Sequence, residues 1–191
     1  MKIQIANSFH AEQIRAIYTP FVTDGLVTFE TQIPGIEEFE NRIAQYSQKY
    51  PWLVMVEGTT VLGYAYASAY RERVAYQWVA ECSVYIHPDH KKKGIAGRLY
   101  AALFKLLQLQ GIYKIYAIIT TPNPESVGFH EKMGFRWFAT YENVGYKSGQ
   151  WCHVGWWQLI LKEADESIPE PILFFPDLDA GVIEKILQGS A

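Results

Sequence analysis

A carboxylate, a tyrosine, three consecutive lysines and a loop of small residues fall in one run of this chain: Glu81-Cys82-Ser83-Val84-Tyr85-Ile86-His87-Pro88-Asp89-His90-Lys91-Lys92-Lys93-Gly94-Ile95-Ala96-Gly97-Arg98-Leu99. Its first part reads as a strand, its middle as a loop and its end as a helix start. A helix start leaves backbone N–H groups free, and the helix dipole favours an anion in front of them. Gly94, Ala96 and Gly97 let the backbone come close to a ligand, and Lys91, Lys92 and Lys93 add positive charge. On physical grounds this is a cradle for a phosphate or pyrophosphate. It is not a nucleoside-triphosphate loop, which needs Gly-Lys followed by Ser or Thr; here Lys93 precedes Gly94. The dinucleotide pattern of three spaced glycines is absent too. The bland alternative is a helix start with a solvated lysine run.

The elements around this run follow from hydrophobic periodicity. Residues 2–6 alternate as a short strand, and Asn7 and Ser8 are suited to cap a helix carrying Ala11, Ile14 and Ile17. After the Pro34-Gly35 turn, residues 36–46 form a second helix with Ile36, Phe39, Ile43 and Tyr46 on one face. Strands follow at 52–56, 61–70 and 76–87, the first two joined by a hairpin turn at 57–60. The helix of the cradle runs through Gln110 and stops at Gly111. A strand at 113–121, a short helix opened by Pro124, and an antiparallel pair at 135–143 and 151–161 complete the order β-α-α-β-β-β-α-β-α-β-β. The fold class is α/β, or α+β with a mixed sheet flanked by helices. Residues 1–164 make one domain. Residues 165–191 form an extension too apolar to be a disordered tail, packed on the domain or on a partner subunit, with a final helix from Asp179.

A second run, Asn123-Pro124-Glu125-Ser126-Val127-Gly128-Phe129-His130-Glu131-Lys132-Met133-Gly134-Phe135, completes a pattern. With Lys91-Lys92-Lys93-Gly94-Ile95-Ala96, it resembles the coenzyme-binding motifs of the GNAT superfamily of N-acetyltransferases, although Lys91 stands where the family has Gln or Arg. The resemblance covers nearly all of residues 1–162. It implies the GNAT fold, in which strands 81–87 and 113–121 splay apart and the coenzyme pairs with the exposed strand edge. It implies acetyl-CoA as co-substrate, with Val84, Tyr85 and Ile86 on the pantetheine and acetyl groups. Lys92, Lys93, Gly94, Ile95, Ala96 and Gly97 would hold the pyrophosphate, and Asn123 and Lys132 would complete the site. No metal is expected.

Acetyl transfer to an amine needs a base, because an aliphatic amine with a pKa of roughly 8 or above is largely protonated at neutral pH. Glu81 is the candidate base: a carboxylate in a half-apolar strand has a raised pKa. Its alternative is a salt-bridged surface Glu. A backbone N–H near Ile86 would polarise the thioester, by the same resemblance. His130 is the candidate acid or second proton carrier, against a packing histidine; Tyr85 is nearby but reads more readily as a core aromatic.

Three further strings resemble the phosphinothricin and methionine sulfoximine acetyltransferase branch of that superfamily. They are Ile17-Tyr18-Thr19-Pro20-Phe21-Val22 with Val27-Thr28-Phe29-Glu30, then Arg71-Glu72-Arg73-Val74-Ala75-Tyr76, and the long 144–158 string with its three Trp. The branch implies a small amino-acid acceptor and a homodimer. Arg73 would clamp the acceptor's carboxylate or phosphinate through paired donors, the backbone of Val74, Ala75 and Tyr76 would flank it, and Glu30 would meet the ammonium. The branch usually has Asp where this chain has His153, which bears on acceptor preference or the dimer contact. Two other readings stand beside it: acetylation of another primary amine (a polyamine, an aminoglycoside, a peptide N-terminus), and a non-catalytic acetyl-CoA-binding module.

Composition fits these readings. A formal net charge of −3 leaves no basic excess for nucleic acid. No apolar stretch is long enough to span a membrane, and the polar N-terminus does not read as a signal peptide, so a cytoplasmic protein is expected. Cys82 and Cys152 are expected to be reduced thiols.

Overall fold

The computed structural model describes residues 1–189. Its strands are β1 (Lys2–Ile5), β2 (Trp52–Glu57), β3 (Thr60–Ala69), β4 (Val79–Ile86), β5 (Lys114–Thr121), β6 (Arg136–Lys147) and β7 (Gln150–Ile160). Its helices are α1 (Ala11–Thr23), α2 (Ile36–Ser47), α3 (Ile95–Leu109), α4 (Pro124–Lys132) and α5 (Ala180–Leu187). One seven-stranded sheet has the order β1-β2-β3-β4-β5-β7-β6. β4 and β5 are parallel and the other neighbours antiparallel, as a crossover through α3 requires.

Alternation along the strands sorts the side chains into two cores, one on each face. Ala80 and Cys82 of β4 join Leu53, Met55, Leu99, Leu103 and Ile115 beneath α3. Trp52, Val54 and Tyr64 pack on the other face against Ile14, Tyr18, Phe39 and Ile43 of α1 and α2, with Tyr85 at the margin. By that parity Glu81, Ser83 and Tyr85 stand on the α1–α2 face. The C-terminal extension supplies Ile172, Phe175, Ile183 and Ile186 to the α3-side core. The Trp78 indole N–H also donates to the Glu170 carbonyl at 2.8 Å.

Two expected boundaries are corrected. The third long strand begins at Val79, not at residue 76. Residues Val74–Tyr76 form a 3-10 turn instead, with the Tyr76 N–H bonded to the Arg73 carbonyl at 2.9 Å. The other is β6, which runs to Lys147 rather than ending at residue 143. Asn143, at φ 49°, is absorbed as a bulge within the strand, and the reversal occurs at Ser148 and Gly149, both at positive φ. Cys82 and Cys152 are buried free thiols. No described helix is long and apolar enough to cross a membrane.

Candidate active site

The site begins where two strands part. β4 and β5 pair only at Val79↔Lys114, Ala80↔Ile115 and Glu81↔Tyr116. Beyond Glu81 the β5-facing edge of β4 (82–86) and the β4-facing edge of β5 (117–121) have no ladder partner, while β3 and β7 still hold their outer edges. Unpaired backbone groups in a sheet interior need partners. The splay that the resemblance implied is present, and its free edges could pair with an extended chain bearing amides. A recess of about 60 Å³ lies in the gap, lined among others by Ser83, Val84, Tyr85, Tyr100, Asn123 and His130.

At the mouth of the gap sits the phosphate cradle. Gly94 is the N-cap of α3 at φ 76°, and no side chain caps the helix, so its first N–H groups stay available. A Cβ on Gly94 would meet nothing within 4 Å. The left-handed backbone, not crowding, is what calls for glycine there. Lys92 is also left-handed, at φ 60°. Lys93 Nζ lies 3.2 Å from His90 Nδ1, and Lys91 pairs with Glu125 at 3.3 Å, which ties the loop to α4. Ile95 is a core residue, 2% exposed, so only its backbone faces a ligand. Ala96 and Gly97 continue the first turn. Asn123 caps α4, its Oδ1 accepting from the Ser126 N–H at 3.2 Å, which leaves its amide nitrogen for a ligand. Lys132 is exposed at the far end of α4 and does not line the recess. These groups fit a pyrophosphate followed by an amide-bearing pantetheine arm: an uncapped helix start with lysines, then free strand edges.

Glu81 lies at the apex, the last residue paired across the gap. Burial pushes its carboxyl up to about 7, against the Arg71 charge, which pulls it down. Arg71, stacked on Tyr70 with its guanidinium 5.1 Å from the ring centroid, is thus the arginine electrostatically tied to Glu81. Arg73, Val74, Ala75 and Tyr76 are all exposed, beside the Glu81 end of β4 rather than inside the gap.

His130 is buried, and both ring nitrogens are engaged. Nδ1 is 2.8 Å from the Ser126 carbonyl and Nε2 is 3.1 Å from the Tyr100 hydroxyl. A carbonyl only accepts, so Nδ1 carries the proton. Burial lowers the pKa, with the Ser126 hydrogen bond opposing it, and the ring stays neutral near pH 7. A neutral ring held this way has a lone pair, not a proton, at Nε2. The Tyr100 hydroxyl donates to it. Tyr100 was not singled out in the sequence because it sits in the apolar stripe of α3 and reads as core.

Glu30 is held by Arg42 at 2.8 Å, and Arg42 also bonds Glu38 at 2.8 Å. Burial opposes the guanidinium charge, but these two carboxylates outweigh it and raise the pKa. The loop bearing Glu30 is anchored by Lys147, whose buried ammonium donates to the carbonyls of Val22 at 2.9 Å and Thr28 at 2.8 Å. His153 Nδ1 accepts from the Asn143 N–H at 3.1 Å and so braces the β6 bulge.

The model of the acetyltransferase (GNAT) domain matches residues 3–156. Phosphinothricin N-acetyltransferase of Streptomyces viridochromogenes is 32% identical over 171 residues, 90% of this chain and 91% of that protein. An L-methionine sulfoximine/L-methionine sulfone acetyltransferase of Salmonella typhimurium is 34% identical over 65% of this chain and 75% of its own length. Among solved structures, a GNAT superfamily phosphinothricin acetyltransferase from Sinorhizobium meliloti in complex with acetyl-CoA superposes with a TM-score of 0.83. It is 30% identical, over 88% of this chain and 92% of that one.

Proposed function

We propose, since this chain belongs to the GNAT acetyltransferase family and is an N-acetyltransferase, that its acceptor is a small free amino acid of the phosphinothricin or methionine sulfoximine type, with Glu81 as the base. The observation that carries the reading is the parting of β4 from β5 immediately after Glu81, with that carboxyl titrating at about 7.

Acetyl-CoA, when bound, supplies an activated acetyl thioester. The chain's own groups do the rest. Lys92, Lys93 and the N–H groups of the 94–97 turn hold the pyrophosphate, while the free edge at Val84, Tyr85 and Ile86 aligns the pantetheine arm and Asn123 adds an amide donor. A backbone N–H near Ile86 is the donor to the thioester oxygen. Glu81, on the α1–α2 face, accepts the amine proton; a base with a pKa near the working pH combines a useful ionised fraction with real basicity. Tyr100 and His130, hydrogen-bonded to each other, wall the recess on the α3–α4 side. Arg71 and Arg73 supply cationic charge beside the Glu81 end for an acceptor carboxylate.

Exposed aromatics along the β6–β7 hairpin support a homodimer. Tyr146 on the edge strand β6 is 60% exposed and Trp151 on β7 61%, with Trp137 and Tyr141 also exposed on β6. The reading is tested by thiol release with an acceptor panel. Phosphinothricin, methionine sulfoximine and methionine sulfone are expected to turn over well above spermidine, an aminoglycoside or a peptide N-terminus. Turnover confined to the latter group would sink the acceptor class. Acetyl-CoA binding without turnover of any amine would favour a non-catalytic module.

A further inference from the structure

The sheet face that carries Glu81 is covered over only part of its width. α1 and α2 pack on Trp52, Val54 and Tyr64, and that core reaches only as far as Tyr85 of β4. Beyond it, Tyr116 of β5, Phe138 of β6 and Trp156 of β7 belong to neither core. Tyr116 is the residue paired with Glu81 across the ladder. Both point away from α3, because their chain neighbours Ala80, Cys82, Ile115 and Ala117 fill the core there. Residues paired on adjacent strands lie about 5 Å apart, so Tyr116 is the immediate neighbour of the candidate base. Its ring meets Tyr70 at 4.9 Å, Phe138 at 5.4 Å and Trp156 at 5.9 Å between centroids. Tyr70 in turn meets Tyr76 edge-on at 5.6 Å. These rings form one continuous shelf that starts beside Glu81.

The shelf is open to a ligand. Tyr76 is 41% and Phe138 42% exposed, Tyr70 and Tyr116 are half-buried, and only Trp156 is covered. Joined apolar surface at the edge of a candidate site is where a ligand's apolar part is held. Charge says which ligand. Glu81 stands beside Tyr116, and Arg71 lies over Tyr70, where it is the cation that acts on Glu81. A carboxylate and a guanidinium that feel one another, with rings alongside, match a zwitterion carrying a flat side chain. Its amine goes to Glu81, its carboxylate to Arg71 and its ring to the shelf. In an aromatic amino acid only Cα and Cβ separate the amine from the ring, so an amine at Glu81 brings the ring over Tyr116. Edge-to-face and offset contacts between rings then add to the gain from burial.

We propose that this shelf gives the chain a further activity, the N-acetylation of free aromatic amino acids such as phenylalanine and tyrosine, a second acceptor class beside the sulfoximine and phosphinate type. The proposal rests on the reading of the acceptor as a free amino acid and adds a side-chain class that this reading does not contain. The step balances as for any amine acceptor. The amine nitrogen bonds to the acetyl carbonyl carbon, the thioester C–S bond breaks, the amine proton passes to Glu81, and the thiolate leaves as coenzyme A.

The test is kcat/KM, read by thiol release at saturating acetyl-CoA, for L-phenylalanine, 3-cyclohexyl-L-alanine, L-leucine and L-methionine sulfoximine. The unmodified protein is compared with Tyr116→Leu and Phe138→Leu. Phenylalanine is expected to exceed cyclohexylalanine, which has a similar volume but no aromatic face, by roughly two- to tenfold, the weight of one ring–ring contact. Tyr116→Leu is expected to bring that ratio close to one. Should Tyr116→Leu fold poorly, Phe138→Leu, at an exposed position, lowers the same ratio. Turnover of methionine sulfoximine and leucine with none of phenylalanine overturns the proposal and leaves the free-amino-acid reading standing. No turnover of any of the four overturns both. A ratio of one in the unmodified protein, or a ratio unchanged in both variants, also rejects the shelf. Loss of a dimer in both variants with the ratio unchanged assigns the shelf to a second copy instead.

Discussion

Glu81 was legible in the sequence as a carboxylate in a half-apolar strand, and the structure adds why it differs from a surface glutamate: it is the last residue paired across the β4–β5 gap, half-buried, with its pKa up at about 7. That shift has a cost in stability. The folded pKa lies above the ordinary value of 4.5, so the folded state holds its proton more tightly than the unfolded chain. Stability from this group is therefore full below about 4.5 and is lost as pH rises through about 7. Glu81→Gln is expected to melt at the same temperature as the unmodified protein near pH 4.5 and at a higher one at pH 8, read by thermal melts across that range; a higher melting point for the unmodified protein at pH 8 would mean the carboxylate is paired rather than merely buried. His130 teaches the opposite lesson. Residue type and spacing mark it as a proton carrier, but its tautomer depends on the Ser126 carbonyl one helical turn back, a contact visible only once α4 is built. Its partner Tyr100 and the Glu30–Arg42 pair were hidden for a similar reason. Each joins elements or turns whose mutual placement no local pattern encodes.

At the scale of elements, the 24–35 loop and the β6–β7 hairpin, which the proposed function puts on the acceptor side, are fastened together by Lys147. Gly145 shares the task, because a Cβ there would collide with the Phe29 ring. Lys147→Met keeps the aliphatic stem and leaves two backbone carbonyls unsatisfied. We expect a loss of about 1–3 kcal/mol in chemical denaturation, with acceptor KM raised and acetyl-CoA affinity unchanged. Equal losses for both substrates would show that the lysine supports the whole domain instead. Periodicity placed most strands and helices because α1, α2 and α3 carry regular apolar faces and β2 and β3 are near-continuous apolar runs. It ended β6 at Asn143, whereas the strand takes that residue in as a bulge braced by His153 and runs on to Lys147. It misjudged the start of β4 because Tyr76 resembles a strand residue but closes an exposed 3-10 turn.

For the whole molecule, the sheet divides the chain into one core under α3 and another under α1 and α2, and on the proposed function the β4–β5 gap joins a coenzyme side to an acceptor side. The extension adds four buried side chains to the core under α3. The exposed aromatics lie at the other end of the sheet, on the β6–β7 hairpin, which is the edge a second copy would cover. Sedimentation is expected to give a dimer, and the pair Tyr146→Glu with Trp151→Glu a folded monomer; an unmodified protein that sediments as a monomer at high concentration would remove the dimer.

The most direct measure of the central claim is the pH dependence of kcat for acetylation of methionine sulfoximine, by the unmodified protein and by Glu81→Gln at saturating acetyl-CoA. The unmodified enzyme should rise through a limb near 7, and Glu81→Gln should fall by roughly 10²–10⁴-fold with that limb gone and acetyl-CoA still bound. The same rate and the same limb in both proteins would contradict Glu81 as the base and, with it, the assignment of chemistry to the apex of the gap.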